Sequence, residues 1–368
     1  AHLAALETIT NLTCTAAVLS IASGWNQTIP PSRRAAILAG VLLGVALLTK
    51  IQAILIPVPI VIWTLLRWRQ RGLVPLLIWF TVATLVFAAG WPYLWHDPFK
   101  HALEYLGRTT NRVTLNCYYF GTTYQDRLVP WHYPLVMFAV TVPLGLHLLG
   151  LLGLIASQRA NVGSQMEDRW QDRLFLATGL FPLIVFSMPG VAVYDGERLF
   201  LTVFPIWALF VGRGVVASIG IAARVVGCRL AYVAATLLAL IQFGVNFQSH
   251  PVYLSYYNMA VGGTTGAERL GMEMNYWGDS LTRDLLEEAA ANYGTLSSVE
   301  ILPSLHQFQN DDLIRQSPIL RSRLSQVKGT SLLKLAFRRR ADLTDKSFQE
   351  YQSDRHGLAG FRRKENSD

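Results

Sequence analysis

Residues 35–66 read AAILAGVLLGVALLTKIQAILIPVPIVIWTLL, and this stretch decides the fold because Lys50 is its only charge. A helix crossing the roughly 30 Å hydrocarbon core of a bilayer needs about 17–25 predominantly apolar residues. Segments 35–49 and 51–66 are each slightly short of that, and Lys50, Pro57 and Pro59 interrupt the run. They read as a tight helical hairpin at a membrane edge. Working outward, apolar runs recur near 3–24, 73–94, 133–156, 174–190, 199–219 and 230–247. The expectation is an all-α polytopic membrane protein of about eight transmembrane helices, with a small α/β carboxy-terminal soluble region.

Charge divides the chain the same way. Residues 1–250 contain 17 Lys+Arg against 9 Asp+Glu, whereas 251–368 contain 15 of each. The net charge of +8 therefore belongs to the apolar part. Surplus cations between apolar runs are the positive-inside bias of a membrane protein and exclude a nucleic-acid binder. Arg33 and Arg34, then Arg67, Arg69 and Arg71, then Arg159, Arg169 and Arg173, then Arg213, Arg224 and Arg229 fall on alternate connections. That side reads as cytoplasmic. The opposite side receives the start of the first run, Lys50, loop 95–132, loop 190–198 and the tail. Cys14, Cys117 and Cys228 are too few and too scattered for a disulfide framework. The chain opens at Ala1 inside an apolar stretch, which reads as an amino-terminal truncation.

Three domains follow: a transmembrane helical domain over 1–250, a soluble α/β region over 251–320 on the non-cytoplasmic side, and a polar basic tail over 321–368. Arg338-Arg-Arg and Arg362-Arg-Lys make that tail look poorly ordered. Loop 95–132 is rich in interfacial aromatics, among them Trp95, Tyr118, Tyr119, Tyr124 and Trp131. Within it, Phe99, Leu103 and Leu106 have helical spacing and predict a short amphipathic helix on the membrane surface. In the soluble region, Asp279 or Ser280 is the expected cap of a helix carrying Leu281, Leu285 and Ala289, with a strand near 298–302. The Gly-rich stretch 261–266 lacks the Lys-Ser/Thr of a P-loop and reads as a turn.

Ionisable residues at membrane depth are costly, so each carries a functional hypothesis. The candidates gather on the non-cytoplasmic side: Glu7, Lys50, Asp195, Glu197 and Arg198, with His96, Asp97, Arg108, Arg112, Asp126, Arg127 and His132 in the outer loop. Lys50 is either a snorkelling interfacial lysine or a cation for an anionic head group. Arg198 is either the partner of a neighbouring carboxylate or a bidentate phosphate ligand that Asp195 and Glu197 hold in place. Glu7 is either a carboxylate stabilised by its helix dipole or part of the chemistry. No His-x-x-x-His, Cys-x-x-Cys or Asp-x-Asp spacing supports a metal site, and a divalent cation stays open.

Three segments carry a family resemblance: Ala1-His-Leu-Ala-Ala-Leu-Glu7, Gly44-Val-Ala-Leu-Leu-Thr-Lys50 and Glu197-Arg-Leu-Phe-Leu-Thr-Val-Phe-Pro-Ile206. In order, spacing and sidedness they resemble the GT-C membrane glycosyltransferases, nearest to protein O-mannosyltransferases and lipid A aminoarabinose transferases. The likeness covers about 1–250, with Leu199-Phe200 where those families usually have tyrosine. It implies transfer of a sugar such as mannose from a polyprenyl-phosphate donor to a lipid or protein acceptor outside the cytoplasm. It places Lys50 and Arg198 at the donor phosphate and Glu7 at a second acidic position. The family's catalytic aspartate falls upstream of Ala1, so the general base is expected outside this chain, with Glu7 the weaker candidate. The competing classes are a non-catalytic membrane scaffold and a transporter or flippase. Midplane charges would favour the transporter. The localisation expected is a multi-pass integral membrane protein, of the inner membrane if bacterial or the endoplasmic reticulum if eukaryotic.

Overall fold

The structure, a computed structural model, describes residues 7–25, 29–110, 113–159, 165–248, 252–292, 296–305, 307–323, 331–343, 345–353 and 358–365. The helices of the apolar part are α1 (Glu7–Gly24), α2 (Arg33–Thr49), α3 (Pro57–Trp68), α4 (Leu73–Gly90) and α5 (Pro98–Thr110). After a hairpin of β1 (Asn116–Tyr119) and β2 (Thr122–Gln125) come α6 (Tyr133–Thr141), α7 (Leu144–Arg159), α8 (Gln165–Phe186), α9 (Val203–Val226) and α10 (Cys228–Gln248). The tail holds α11 (Gly263–Arg269), α12 (Arg283–Ala291), β3 (Leu296–Leu302), α13 (Gln307–Gln316), α14 (Pro318–Arg323), β4 (Ser331–Phe337), α15 (Asp345–Phe348), β5 (Gln352–Ser353) and β6 (Ala359–Glu365).

The chain is mostly helical with a small sheet region, and it divides into two compact units. One unit takes Ala5–Leu115 and Asp126–Ala239. The other takes Asn116–Gln125 with Leu240–Asp368, so the boundary differs from the residue 250 expected.

Among the described residues, two helical runs are long and apolar enough to cross a membrane, Ile51–Gly90 and Val203–Val226. A third passes only if the pair Tyr133–Thr141 and Leu144–Ser157, bent by 105°, counts as one span. Pro143 and the extended backbone at Val142 account for that bend. The helical unit packs around Val18, Ile21, Trp25, Leu43, Ile60, Trp63, Trp79, Leu174, Phe175 and Phe210.

The hairpin expected across Lys50 does not form. The chain leaves α2 through extended backbone at Lys50 and a short 3-10 turn, Ile51–Leu55. Helix α2 packs on α1 and α4, while α3 packs on α8. Glycines decide this pairing: a Cβ at Gly40 would lie 2.7 Å from the Trp79 carbonyl oxygen, and one at Gly44 would lie 2.6 Å from Val86 Cβ. Gly40-x-x-x-Gly44 is the small-residue spacing that lets helix backbones meet. Helices α7 and α9 repeat the device, with a Cβ on Gly214 falling on the Leu149 carbonyl and one on Gly153 falling on the Phe210 carbonyl.

The second unit is a four-stranded sheet in the order β3-β4-β6-β5, with β3 parallel to β4 and the other pairs antiparallel. Helix α12 supplies Leu285, Leu286 and Ala289 to a core with Ile301, Leu313, Leu333, Leu335, Phe337 and Phe361. The expectation of a poorly ordered 321–368 fails here, since β4, β5 and β6 all come from that segment. Leu333, Leu335 and Phe337 alternate inward at the strand period, a signal that the neighbouring arginines dilute in average polarity. The cap of α12 is Thr282, whose Oγ1 accepts from Leu285 N at 3.4 Å, rather than Asp279 or Ser280. Asp279 and Ser280 are buried instead. The Gly-rich stretch turns at Gly262 and Gly263 (φ 80 and 65) and then enters α11.

Candidate functional site

Three of the sequence-selected residues meet at one oxygen. Lys50 Nζ and Arg198 Nε each donate to Glu7 Oε1 at 2.7 Å, although they lie 43 and 191 positions from Glu7. Arg198 Nη1 reaches Asp195 Oδ2 at 3.3 Å. Side-chain exposure is 10% for Glu7, 16% for Lys50 and 33% for Arg198, so all three bonds are charge-assisted and partly desolvated. Two cations face two carboxylates, and the cluster is neutral as it stands.

Local structure explains each position. Glu7 lies in the first turn of α1, where the helix dipole favours a carboxylate. Lys50 follows the last residue of α2, and Thr49 Oγ1 lies 3.3 Å from Thr13 Oγ1, tying the end of α2 to the amino-terminal half of α1. Arg198 follows a turn in which Asp195 and Gly196 both have positive φ (55 and 65). Tyr133, buried at the start of α6, fixes that turn by accepting from Gly196 N at 3.1 Å. Aspartate tolerates the left-handed region better than most side chains, which suits it to this position. Desolvation raises the neighbouring Glu197 carboxyl above the ordinary range.

No family model, no curated protein and no solved structure matches this chain.

A small opening of about 10 Å³ beside the cluster, room for roughly one water, is lined by Glu7, Thr10, Asn11, Lys50, Gln52, Arg198, Leu199, Leu201 and Thr202. Immediately past Lys50, Ile51 and Ile54 begin an apolar pocket of about 230 Å³ that continues along Leu43, Phe80, Phe87, Trp91 and Tyr105. Lys50 thus stands between a polar opening and an apolar slot. Sequence reasoning did not select Thr10, Asn11, Gln52 or Thr202, because neutral polar residues at helix ends carry no distinguishing pattern.

The outer-loop candidates have other places. His96 and Asp97 are exposed just before α5, and the Asp97 carbonyl accepts from His101 N at 3.0 Å. The expected amphipathic helix is α5, with Phe99 84% and Leu103 70% exposed. Asp126 is buried and structural: its Oδ2 accepts from Leu115 N at 3.1 Å, and its carbonyl accepts from Val193 N at 2.9 Å. Arg127 is exposed, and His132 precedes α6 with its ring edge-on to Trp131. The side chain of Arg108 and the whole of Arg112 lie outside the described residues. Among the described residues, no group of three or more His, Cys, Asp or Glu could hold a metal ion.

Proposed function

We infer that this chain is a multi-pass membrane glycosyltransferase that takes a sugar such as mannose from a polyprenyl-phosphate donor. On this reading α1, α2, α3, α4, the bent α6–α7 pair, α8, α9 and α10 are the eight spans, and the acceptor is a lipid or protein on the non-cytoplasmic side. The observation that carries it is the meeting of Lys50 and Arg198, from segments far apart in sequence, beside an apolar slot that starts at Ile51. An anionic head on a long hydrocarbon tail is the ligand that uses both halves. The resemblance of Thr49-Lys50 and Glu197-Arg198 to the GT-C motifs supports the same assignment.

The chemistry asks little of the two cations beyond position. The acceptor oxygen attacks the anomeric carbon, the bond from that carbon to the donor phosphate oxygen breaks, and its electron pair stays on the phosphate. The acceptor proton leaves to a base. A phosphodiester carries one negative charge and gains a second in this step, so cations at the leaving oxygen stabilise the transition state more than the ground state. Glu7, already accepting from both cations, is a positioning carboxylate here, and the base is a residue other than the trio.

A second reading has an observation of its own. Glu7 and Asp195 balance both cations, as a purely structural clasp in a non-catalytic membrane protein would require. Turnover per folded molecule in the full-length protein separates the two readings. For the transferase, Lys50→Gln or Arg198→Gln lowers turnover by about 30- to 1000-fold, the usual cost of one such contact. Arg198→Lys is also damaging, because an ammonium cannot donate in bidentate fashion. Near-normal turnover in both glutamine variants would remove the phosphate assignment and leave the clasp.

A further inference from the structure

A second basic site lies where α3 turns into α4, built from residues the transfer chemistry does not use. Arg67, Trp68, Arg69, Gln70 and Arg71 line one open cup. Arg67 is held by aromatic faces, its guanidinium carbon lying 5.5 Å from the Trp63 ring centre, 4.8 Å from Trp68 and 5.7 Å from Trp170. Arg173 covers Trp170 at 4.8 Å. Such stacking costs an arginine little of its charge and keeps its planar fork in place. Arg69 and Arg71, by contrast, are exposed, and among the described residues no carboxylate pairs with either. Asp172, the buried carboxylate on α8, is already bonded to Arg213.

The turn is built against local preference. Arg69 has φ 49 and ψ −131, a region that favours glycine, and a side chain there costs about 1–3 kcal/mol. Gly72 closes the turn so tightly that a Cβ would lie 2.8 Å from Thr64 Cγ2. A strained turn that presents exposed arginines suits a ligand rich in anionic oxygen.

Aliphatic ridges flank the cup on both helices. Val58, Ile62 and Leu66 rise along one face of α3 at 42%, 53% and 68% exposure, and Leu73 and Leu77 follow on α4 at 53% and 69%. A soluble phosphate would cover the arginines and leave these ridges bare. An anionic phospholipid covers both, its head in the cup and its chains along the ridges. We propose that the Arg67–Arg71 turn is a binding site for the head group of one anionic phospholipid. The site requires α3 and α4 to lie in a bilayer and is independent of the transfer reaction.

The test uses the full chain, purified in mild detergent and stripped of lipid, with bound lipids counted by native mass spectrometry. Phosphatidylglycerol should bind at least tenfold more tightly than phosphatidylcholine. Arg69→Gln with Arg71→Gln should lose about tenfold in phosphatidylglycerol affinity while phosphatidylcholine binding is unchanged. Arg33→Gln with Arg34→Gln, an exposed pair at the start of α2, should keep the preference. Equal loss in that control would mean diffuse charge attraction and would overturn the site. So would displacement of the lipid by glycerol phosphate at equal concentration, which would make the ligand a soluble phosphate. Absence of binding by either lipid would remove the membrane reading as well, whereas lost selectivity alone removes only this site.

Discussion

Glu7→Gln isolates the role of the carboxylate that joins α1 to two distant cations. The substitution keeps size and hydrogen-bonding oxygen but removes the charge facing Lys50 and Arg198, each 2.7 Å from Oε1. Breaking one partner of a fully buried ion pair costs about 3–5 kcal/mol, because the remaining charge is stranded. With side chains 10–33% exposed, water recovers part of that cost, and Asp195 still faces Arg198. About 2–3 kcal/mol of destabilisation is expected, and it falls mostly on Lys50. For a unit of this size that corresponds to roughly 4–12 °C in Tm. The assay is thermal unfolding of the full chain in mild detergent, run as a cycle with Lys50→Met. Because the double variant strands no ammonium, it should be more stable than the sum of the single effects by at least about 1 kcal/mol. A Tm within about 1 °C of wild type for Glu7→Gln, or strict additivity in the cycle, would refute the clasp geometry.

Gly214→Leu should abolish a monodisperse gel-filtration peak, since even a Cβ there overlaps the Leu149 carbonyl oxygen; a folded, wild-type-like profile would mean α7 and α9 do not cross at this point. Burial pushes the Glu273 carboxyl up to about 7 and the Asp279 carboxyl up to about 6, from ordinary values of 4.5 and 3.8. A carboxyl raised in the folded state gives up stability as pH rises from its unfolded to its folded value, on the order of 3 kcal/mol for Glu273. The unit containing the sheet should therefore resist proteolysis better at pH 5 than at pH 8, and Glu273→Gln should flatten the profile; a wild-type profile that rises with pH would contradict this. Cys117 is buried, so sidedness is read with Thr123→Cys, an exposed hairpin position, against the exposed native Cys228. An impermeant thiol reagent on intact cells should label Thr123→Cys and spare Cys228, and the reverse pattern would invert the topology.

Residue type at the ends of apolar runs was enough to select Glu7, Lys50, Asp195 and Arg198. Their partnership was not legible, because nothing in a chain tells Glu7 that its neighbours lie 43 and 191 residues away. Helix positions followed from hydrophobic run length, but helix pairing followed from Gly40, Gly44, Gly153 and Gly214, whose meaning depends on what approaches them. Hairpin β1–β2 falls inside the aromatic-rich loop 95–132, where no strands were expected. Its turn residues Phe120 and Gly121 both have positive φ (47 and 78), and phenylalanine at the first of these positions is not a usual hairpin signal. Strand β4 was hidden by composition, since Lys334 and Arg338–Arg340 surround an alternation of Leu333, Leu335 and Phe337.

Hairpin Asn116–Gln125 belongs with the carboxy-terminal sheet unit, although more than a hundred residues separate it from the segment it meets. Gly121 N donates to the Gly271 carbonyl at 2.9 Å, and at Gly271 a Cβ would fall on the Gly121 amide nitrogen. Arg340 adds its guanidinium 5.7 Å from the Tyr118 ring centre. During synthesis at about 5–20 residues per second, the hairpin exists for roughly 7–30 s before Gly271 has been made. Through that interval its tyrosines and strand edges have no native cover, so they are a natural client surface for a chaperone. The same order of events means that a tail fragment beginning at residue 252 would lack one of its own strand pairs, and only a chain that includes the early hairpin can complete that unit.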